Sequence, residues 1–304
     1  MIPEIALNPE LATLSRVIIL VALTFYSFAF IVLTWALTKR AGGKGKKDLF
    51  ANRLDTIGLV LFGIGVLANG AGVLTRGIAA NRVPWSNMYE FSISGAFVVT
   101  AIYLLALIFR DLKFISSFIA GFVVLIIGSA NTLFYVQVES LLPALQDYWL
   151  VIHVSVAILA TAFFTIAAAL ATIHILKDSK RIKNSKLRAV VSIRKVLKVF
   201  PKVEKLERTY YQFNIIGFIL WSFTLIAGAI WADKAWHRFW GWDTKEVWTF
   251  IIWTIYAAYL HATSTRGWEG KRAAWLSLIG FTAIIFNFTI VNLYFKGLHV
   301  YSGI

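Results

Sequence analysis

Eight runs of about 20 predominantly apolar residues recur along the chain, at roughly 16–37, 55–75, 91–109, 115–135, 152–175, 212–232, 246–263 and 273–295. A helix rises about 1.5 Å per residue, so each run can span a hydrocarbon core of about 30 Å. Lipid offers no partner to backbone N–H and C=O groups, so only helices and closed barrels cross it. The runs lack the two-residue alternation of a barrel strand. The expected fold is therefore an all-α membrane protein with about eight transmembrane helices. Composition agrees: 59% of residues are apolar and 15% charged, against about a half and a quarter in soluble domains. This excludes a disordered chain, a large water-soluble core and a soluble nucleic-acid binder. The sequence has no cysteine, which excludes disulfides, thiolate metal sites, thiol redox chemistry and a c-type haem attachment site of its own. The five histidines are then the softest ligands available.

The first run follows MIPEIALNPELATLS, which has two acids and no base. A cleaved signal peptide begins with basic residues, so a signal-anchor with its N-terminus outside is expected. Alternation along eight spans then puts the C-terminus outside as well. It places 23 of the 30 Lys and Arg inside and 7 outside, and it splits the acids 7 to 8, giving +16 inside and −1 outside. This obeys the positive-inside bias. Topology and anionic lipid account for the net charge of +15, with no nucleic acid required. Residues 1–54 are expected to form an N-terminal signal-anchor helix and a basic cytoplasmic loop, and 55–304 the main membrane domain. Within the latter, 177–208 carries 12 Lys and Arg. Ile193, Val196, Leu197 and Phe200 share a helical face there, and Pro201 follows. That pattern predicts an amphipathic helix lying on the inner leaflet or docking a partner.

Six of the twelve tryptophans fall within 231–253, WADKAWHRFWGWDTKEVWTFIIW, between the sixth and seventh runs on the outer side. An interfacial aromatic belt explains tryptophans at headgroup depth. Packing into one loop, with Gly241 and Asp243 among them, suggests instead a flat π-rich platform for a large planar ligand. His153 opens the fifth run and His299 follows the eighth, both on the Trp-rich side. Each is either a wet terminal residue or, as a pair, able to ligate one iron from opposite porphyrin faces. His261 lies in the inner half of the seventh run, with Ala257 and Ala258 one turn back. It serves either a ligand or a hydrogen bond to another helix. His174 is 21 residues from His153, about 31 Å along a helix, so the two cannot share a site; it is expected to snorkel at the interface. His237 reads as a solvated loop residue. PWSNMYEF, at 84–91, punctuates the start of the third run. There Glu90 reads as a solvated acid of a helix cap.

FWGWDTKEVWTFIIWTIYAAYLHATSTRG closely resembles the tryptophan-rich WWD signature of haem-handling membrane proteins in cytochrome c maturation. NRVPWSNMYEF, LLPALQDYWLVIHVSV and NLYFKGLHVYSG resemble other segments of its CcsA (ResC) branch, the membrane subunit of system II cytochrome c synthase. The resemblance runs from about residue 55 to the C-terminus and is weak in 177–208. The chain is longer than the system I haem-delivery protein and much shorter than the system I ligase. The resemblance implies that 55–304 is a haem-handling WWD-type domain. It implies His153 and His299 as external axial ligands of haem iron, with Trp236, Trp240, Trp242, Asp243 and Trp248 as the receiving platform. It implies His261 as the intramembrane ligand near the inner face. Haem b would be the cargo and bound ligand. A ResB-type membrane subunit and an apocytochrome c with a Cys-Xaa-Xaa-Cys-His segment would be the partners. The host would be a bacterial plasma membrane or a thylakoid membrane, with the WWD loop extracytoplasmic. The chain would act as a subunit of a holocytochrome c synthase, with catalysis by positioning, because no side chain stands out as acid, base or nucleophile. Thr244 departs from the family's usual proline, and His237 stands where a smaller residue is common. Two rival functions remain: a b-type quinol oxidoreductase, which would usually need paired histidines at both depths, and a transporter of another amphipathic solute, usually marked by inverted repeats.

Overall fold

Each apolar run becomes a helix because its backbone bonds close internally and polar side chains cap its ends. The computed structural model describes residues 7–43, 48–141, 145–265, 267–295 and 297–298, and these contain no strand. The helices are α1 (Pro9–Gly42), α2 (Leu49–Ala80), α3 (Met88–Phe109), α4 (Ser116–Leu133), α5 (Tyr148–Lys177), α6 (Lys180–Asn184), α7 (Arg188–Val199), α8 (Val203–Trp236), α9 (Thr244–Thr263), α10 (Lys271–Phe286) and α11 (Asn292–Tyr294). Asn8, Asp48, Asn87, Asp147 and Asp243 each accept a backbone N–H at the start of a long helix, which satisfies donors the helix leaves open. A π turn, Asn287–Val291, joins α10 to α11.

Among the described residues, seven helices are long and apolar enough to cross a membrane. α9, expected from the sequence as a further span, is not among these seven; it has 20 residues, or about 30 Å of rise. Its Thr, Tyr, Trp and His side chains make it less apolar than the others.

α1 packs along α2, and α5 along α8. Buried positions on α1 fall at 12, 15, 19, 22, 26, 29, 33 and 36, the alternating three-and-four spacing of a coiled-coil seam. Gly58, Gly65 and Gly72 of α2 recur every seven residues against Leu33, Tyr26 and Ile19 of α1. Any side chain there would strike those residues, so the glycines set how closely the two helices approach.

Two ends of the bundle differ in chemistry. At the basic end, Phe200 packs on Phe114 and Phe118, and Lys177 donates to the carbonyls of Phe200 and Pro201 at 2.6 Å each. The expected amphipathic helix is α7, which stops before Pro201. Leu197 and Phe200 are buried while Ile193 stays exposed. His174 does not snorkel: it is 2% exposed, and its Nδ1 lies 3.4 Å from the Tyr210 hydroxyl. Partner hydroxyls inside the bundle remove the need to reach water.

The Trp end is held by a charge cluster. Glu90 is fully buried, not a solvated acid. Arg76 Nε donates to its Oε1 at 3.0 Å and Arg82 Nη1 to its Oε2 at 2.6 Å. The Ser86 amide and hydroxyl donate to the same Oε2. Arg76 also donates to the carbonyls of Val136 and Gln137, so α2, α3 and the chain after α4 converge on one carboxylate. The cap of α3 is Asn87, whose side chain accepts from the Glu90 N–H at 2.9 Å. Breaking a buried ion pair leaves an uncompensated charge, at about 3–5 kcal/mol. Glu90→Ala is therefore expected to lower stability by about that much, seen as a drop in apparent melting temperature in detergent and in membrane protein level. Glu139→Ala, at an exposed position, should leave both unchanged.

Candidate functional site

A cavity of about 220 Å³ opens between α3, α5, α8, α9 and the α10–π–α11 segment at the Trp end. Its walls are mainly aliphatic and aromatic, with indoles from Trp85, Trp221 and Trp231. His153, the sixth residue of α5, lines it. The His153 Nδ1 lies 2.9 Å from the Thr224 carbonyl oxygen on α8. A carbonyl only accepts, so Nδ1 carries the proton and Nε2 holds the lone pair of the neutral ring. This is the tautomer a metal-binding imidazole needs. Gly228, one turn beyond Thr224, faces the ring: a Cβ there would lie 2.7 Å from His153 Cε1. The Trp231 indole, 1% exposed, stacks near it at 6.1 Å and 19°. A helix one side chain thinner at Gly228, a carbonyl and an indole thus fix the imidazole plane.

The π turn falls at this cavity. Asn287 and Phe288 within it and Asn292 beyond it all line the wall. A π turn shifts the following side chains around the helix relative to an α-helical path.

The tryptophan loop does not make one flat shelf. It starts at His237, exposed and left-handed at φ 56°, and is wound around Glu246. That carboxylate accepts from the Gly241 and Asp243 amides at 2.7 and 3.1 Å and from Arg238 at 3.1 Å. Trp242 is also left-handed, at φ 59°. This winding divides the indoles. Trp236 meets Trp231 edge-on at 4.8 Å, with Arg238 over its ring. Trp240 and Trp242 stand at 85° to each other, and Trp242 is 78% exposed. Trp248 packs against Phe286 of α10 at 4.4 Å.

Of the expected site residues, His153 alone lines the cavity among the described residues. Trp236 contacts its wall through Trp231. Trp240 and Trp242 are exposed at the protein surface. His261, near the C-terminus of α9, is exposed and is 16 residues from Lys245, which lines the cavity at the start of the same helix. That separation is about 24 Å, so His153 and His261 do not serve one site. His299 lies outside the described residues. The PWSNMYEF segment, read as a helix start, supplies Trp85, Asn87, Met88 and Phe91 to the cavity. Its indole two residues before the cap was the available signal. Nothing local in sequence marks Trp221, which is one tryptophan in an apolar run.

Asp243 bridges two segments. Its Oδ1 accepts from the Lys245 amide at 3.0 Å, capping α9. Its Oδ2 accepts from the Leu298 amide at 2.8 Å, next to His299 in sequence. Losing such a cap costs about 1 kcal/mol. Asp243→Ala is expected to destabilise the protein by about that amount and to speed hydrogen exchange at Leu298. Asp243→Asn, which keeps an acceptor oxygen, should show the smaller effect.

Residues 85–299 match the family model described as Cytochrome C assembly protein. The chain is 32% identical over 299 residues to a cytochrome c biogenesis protein CcsA of Prochlorococcus marinus, covering 92% of this chain and 93% of that one. It is 34% identical over 244 residues to CcsA of Guillardia theta, covering 75% and 79%. It is 31% identical over 286 residues to CcsA of Synechococcus elongatus, covering 82% and 88%. The residues matched to the family model include the cavity wall, Glu90 and the tryptophan loop, and the chain belongs to the cytochrome c assembly family, in its CcsA branch.

Proposed function

We propose that this chain works in cytochrome c biogenesis by holding haem b at the Trp end of the bundle and presenting it to apocytochrome c. The observation that carries the reading is the hydrogen bond from His153 Nδ1 to the Thr224 carbonyl at 2.9 Å. It leaves Nε2 as the ligating nitrogen of a ring set in an apolar, indole-lined cavity. Haem needs such a wall for its porphyrin faces and such a nitrogen for its iron. His299 supplies the second axial nitrogen. Its sequence neighbour Leu298 is tied to Asp243, which joins that segment to the start of α9. Trp236, Trp240, Trp242 and Trp248 form the surround into which the substrate protein docks. Two imidazoles keep the iron saturated. The wanted reaction adds a cysteine S–H across each vinyl C=C of haem, forming an S–C bond and moving the hydrogen to the neighbouring carbon. Electrons balance without a separate oxidant.

The chain crosses the membrane eight times, with both termini and the tryptophan loop outside, and α9 counts as the eighth span. Phe250, Thr254, Ala258 and His261 form an exposed stripe along α9. A histidine on such a stripe is costly against lipid, so a ResB-type subunit covers it, and His261 contributes to an inner haem site there. At the basic end, α6 and α7 lie on the inner leaflet, where their Lys and Arg meet anionic lipid. The membrane is a bacterial plasma membrane or a thylakoid membrane. The chain acts as a subunit of holocytochrome c synthase.

The complex co-purified with its ResB-type partner is expected to show a six-coordinate low-spin haem spectrum. His153→Ala and His299→Ala should each lower bound haem and cytochrome c yield, with added imidazole restoring part of both. Normal haem content and yield in both variants would rule the ligands out. Gly228→Val should mimic His153→Ala, because a side chain there displaces the ring.

A further inference from the structure

The cavity wall contains one formal charge. Among the 28 residues that line it, Lys245 alone is ionised, and neither Asp nor Glu is present. His153 has its Nδ1 proton committed to the Thr224 carbonyl. Three other bases at this end have carboxylate partners: Arg76 and Arg82 on Glu90, and Arg238 on Glu246. No such ion pair forms at Lys245 among the described residues. The two acids beside it in sequence are engaged elsewhere: Glu246 takes Arg238 and the Gly241 and Asp243 amides, and Asp243 accepts the Lys245 and Leu298 amides. The Asp243 carboxylate acts on this ammonium through space without a direct ion pair, and an ammonium that faces an apolar chamber is stabilised when something entering the chamber brings a negative charge into contact with it.

We propose that Lys245 receives a carboxylate of the ligand held beside His153. The inference rests on the haem reading above and adds a polarity to it. The two carboxylates of haem sit on one edge of the macrocycle, and its vinyl groups lie away from that edge. An ion pair at Lys245 turns the carboxylate edge toward the start of α9 while His153 holds the iron. The vinyl-bearing edge then points away from α9. Lys245 is thus a binding and orienting residue: it sets which edge of the porphyrin the substrate protein meets. A charge-assisted bond in a poorly hydrated site is stronger than its equivalent in water, so it discriminates a free acid from an ester.

The test uses the full chain in detergent micelles, titrated with iron protoporphyrin IX and separately with its dimethyl ester. Wild type is expected to bind the free acid about tenfold more tightly than the ester, the order expected for one charge-assisted bond. Lys245→Gln should bind both forms equally, at the affinity of the ester, and keep the low-spin spectrum. Lys245→Arg should restore the preference. A free-acid preference that survives in Lys245→Gln, or no preference in wild type, overturns the assignment of Lys245 while leaving the haem site intact. No binding of either porphyrin to wild type overturns the haem reading itself. If Lys245→Gln fails to fold, judged by its gel-filtration profile, Lys245→Met takes its place under the same criterion.

Discussion

The carbonyl of Thr224 sets the chemistry of the Trp end. It accepts from His153 Nδ1 from within the continuous helix α8. A neutral hydrogen bond of this kind contributes only about 1 kcal/mol. Its larger effect is on identity, because it fixes which imidazole nitrogen bears the proton. Gly228 lets the ring approach, and Trp231 closes the other direction. The position of His153 is therefore a property of how α5 packs along α8. A change in that packing would alter the site without touching any ligand.

Charge is handled in two ways at the same end. Arg76, Arg82 and Glu90 form a buried set: the carboxylate takes both guanidiniums and the Ser86 groups. Tyr89 adds a ring 5.2 Å from Arg76, and Tyr135 one 3.8 Å from Arg16. Such a cluster gives rigidity to α2, α3 and the chain after α4, because a partner cannot leave without exposing a buried charge. Glu246 closes the tryptophan loop in the same way, with Arg238 and two amides. Lys245, by contrast, faces the cavity without a direct ion pair among the described residues.

The helices were legible because burial in lipid demands long apolar runs, and all eight runs appear as helices near the expected residues. Caps at Asn87 and Asp243 lie at the polar punctuation between runs. What periodicity could not convey is which side chains from different helices meet. Glu90 looks like a solvated cap until α2 supplies Arg76 from 14 residues away. His174 looks like an interfacial residue until α8 supplies Tyr210. The density of tryptophans in 231–253 pointed to the end of the bundle at which the cavity opens. It did not separate Trp231, which lines the cavity, from Trp242, which is exposed. That division follows from the left-handed backbone at His237 and Trp242, which a pattern of residue types does not encode.

α9 ties the two proposed haem positions into one mechanical element. Its first turn carries Lys245 in the cavity wall, anchored by the Asp243–Glu246 capping box. Its last turn carries His261 on the exposed stripe. A single helix of 20 residues is stiff over this length, so on the proposed reading a tilt or slide imposed at His261 by a neighbouring subunit would reach Lys245. The capping box then transmits it to Asp243, which holds Leu298. Occupancy of an inner site would bias the outer one through rigid-body movement of α9, because the same helix contributes a contact to each. The lower apolarity of α9 fits this arrangement: a helix clad on its outer stripe by protein need not be as apolar as one facing lipid.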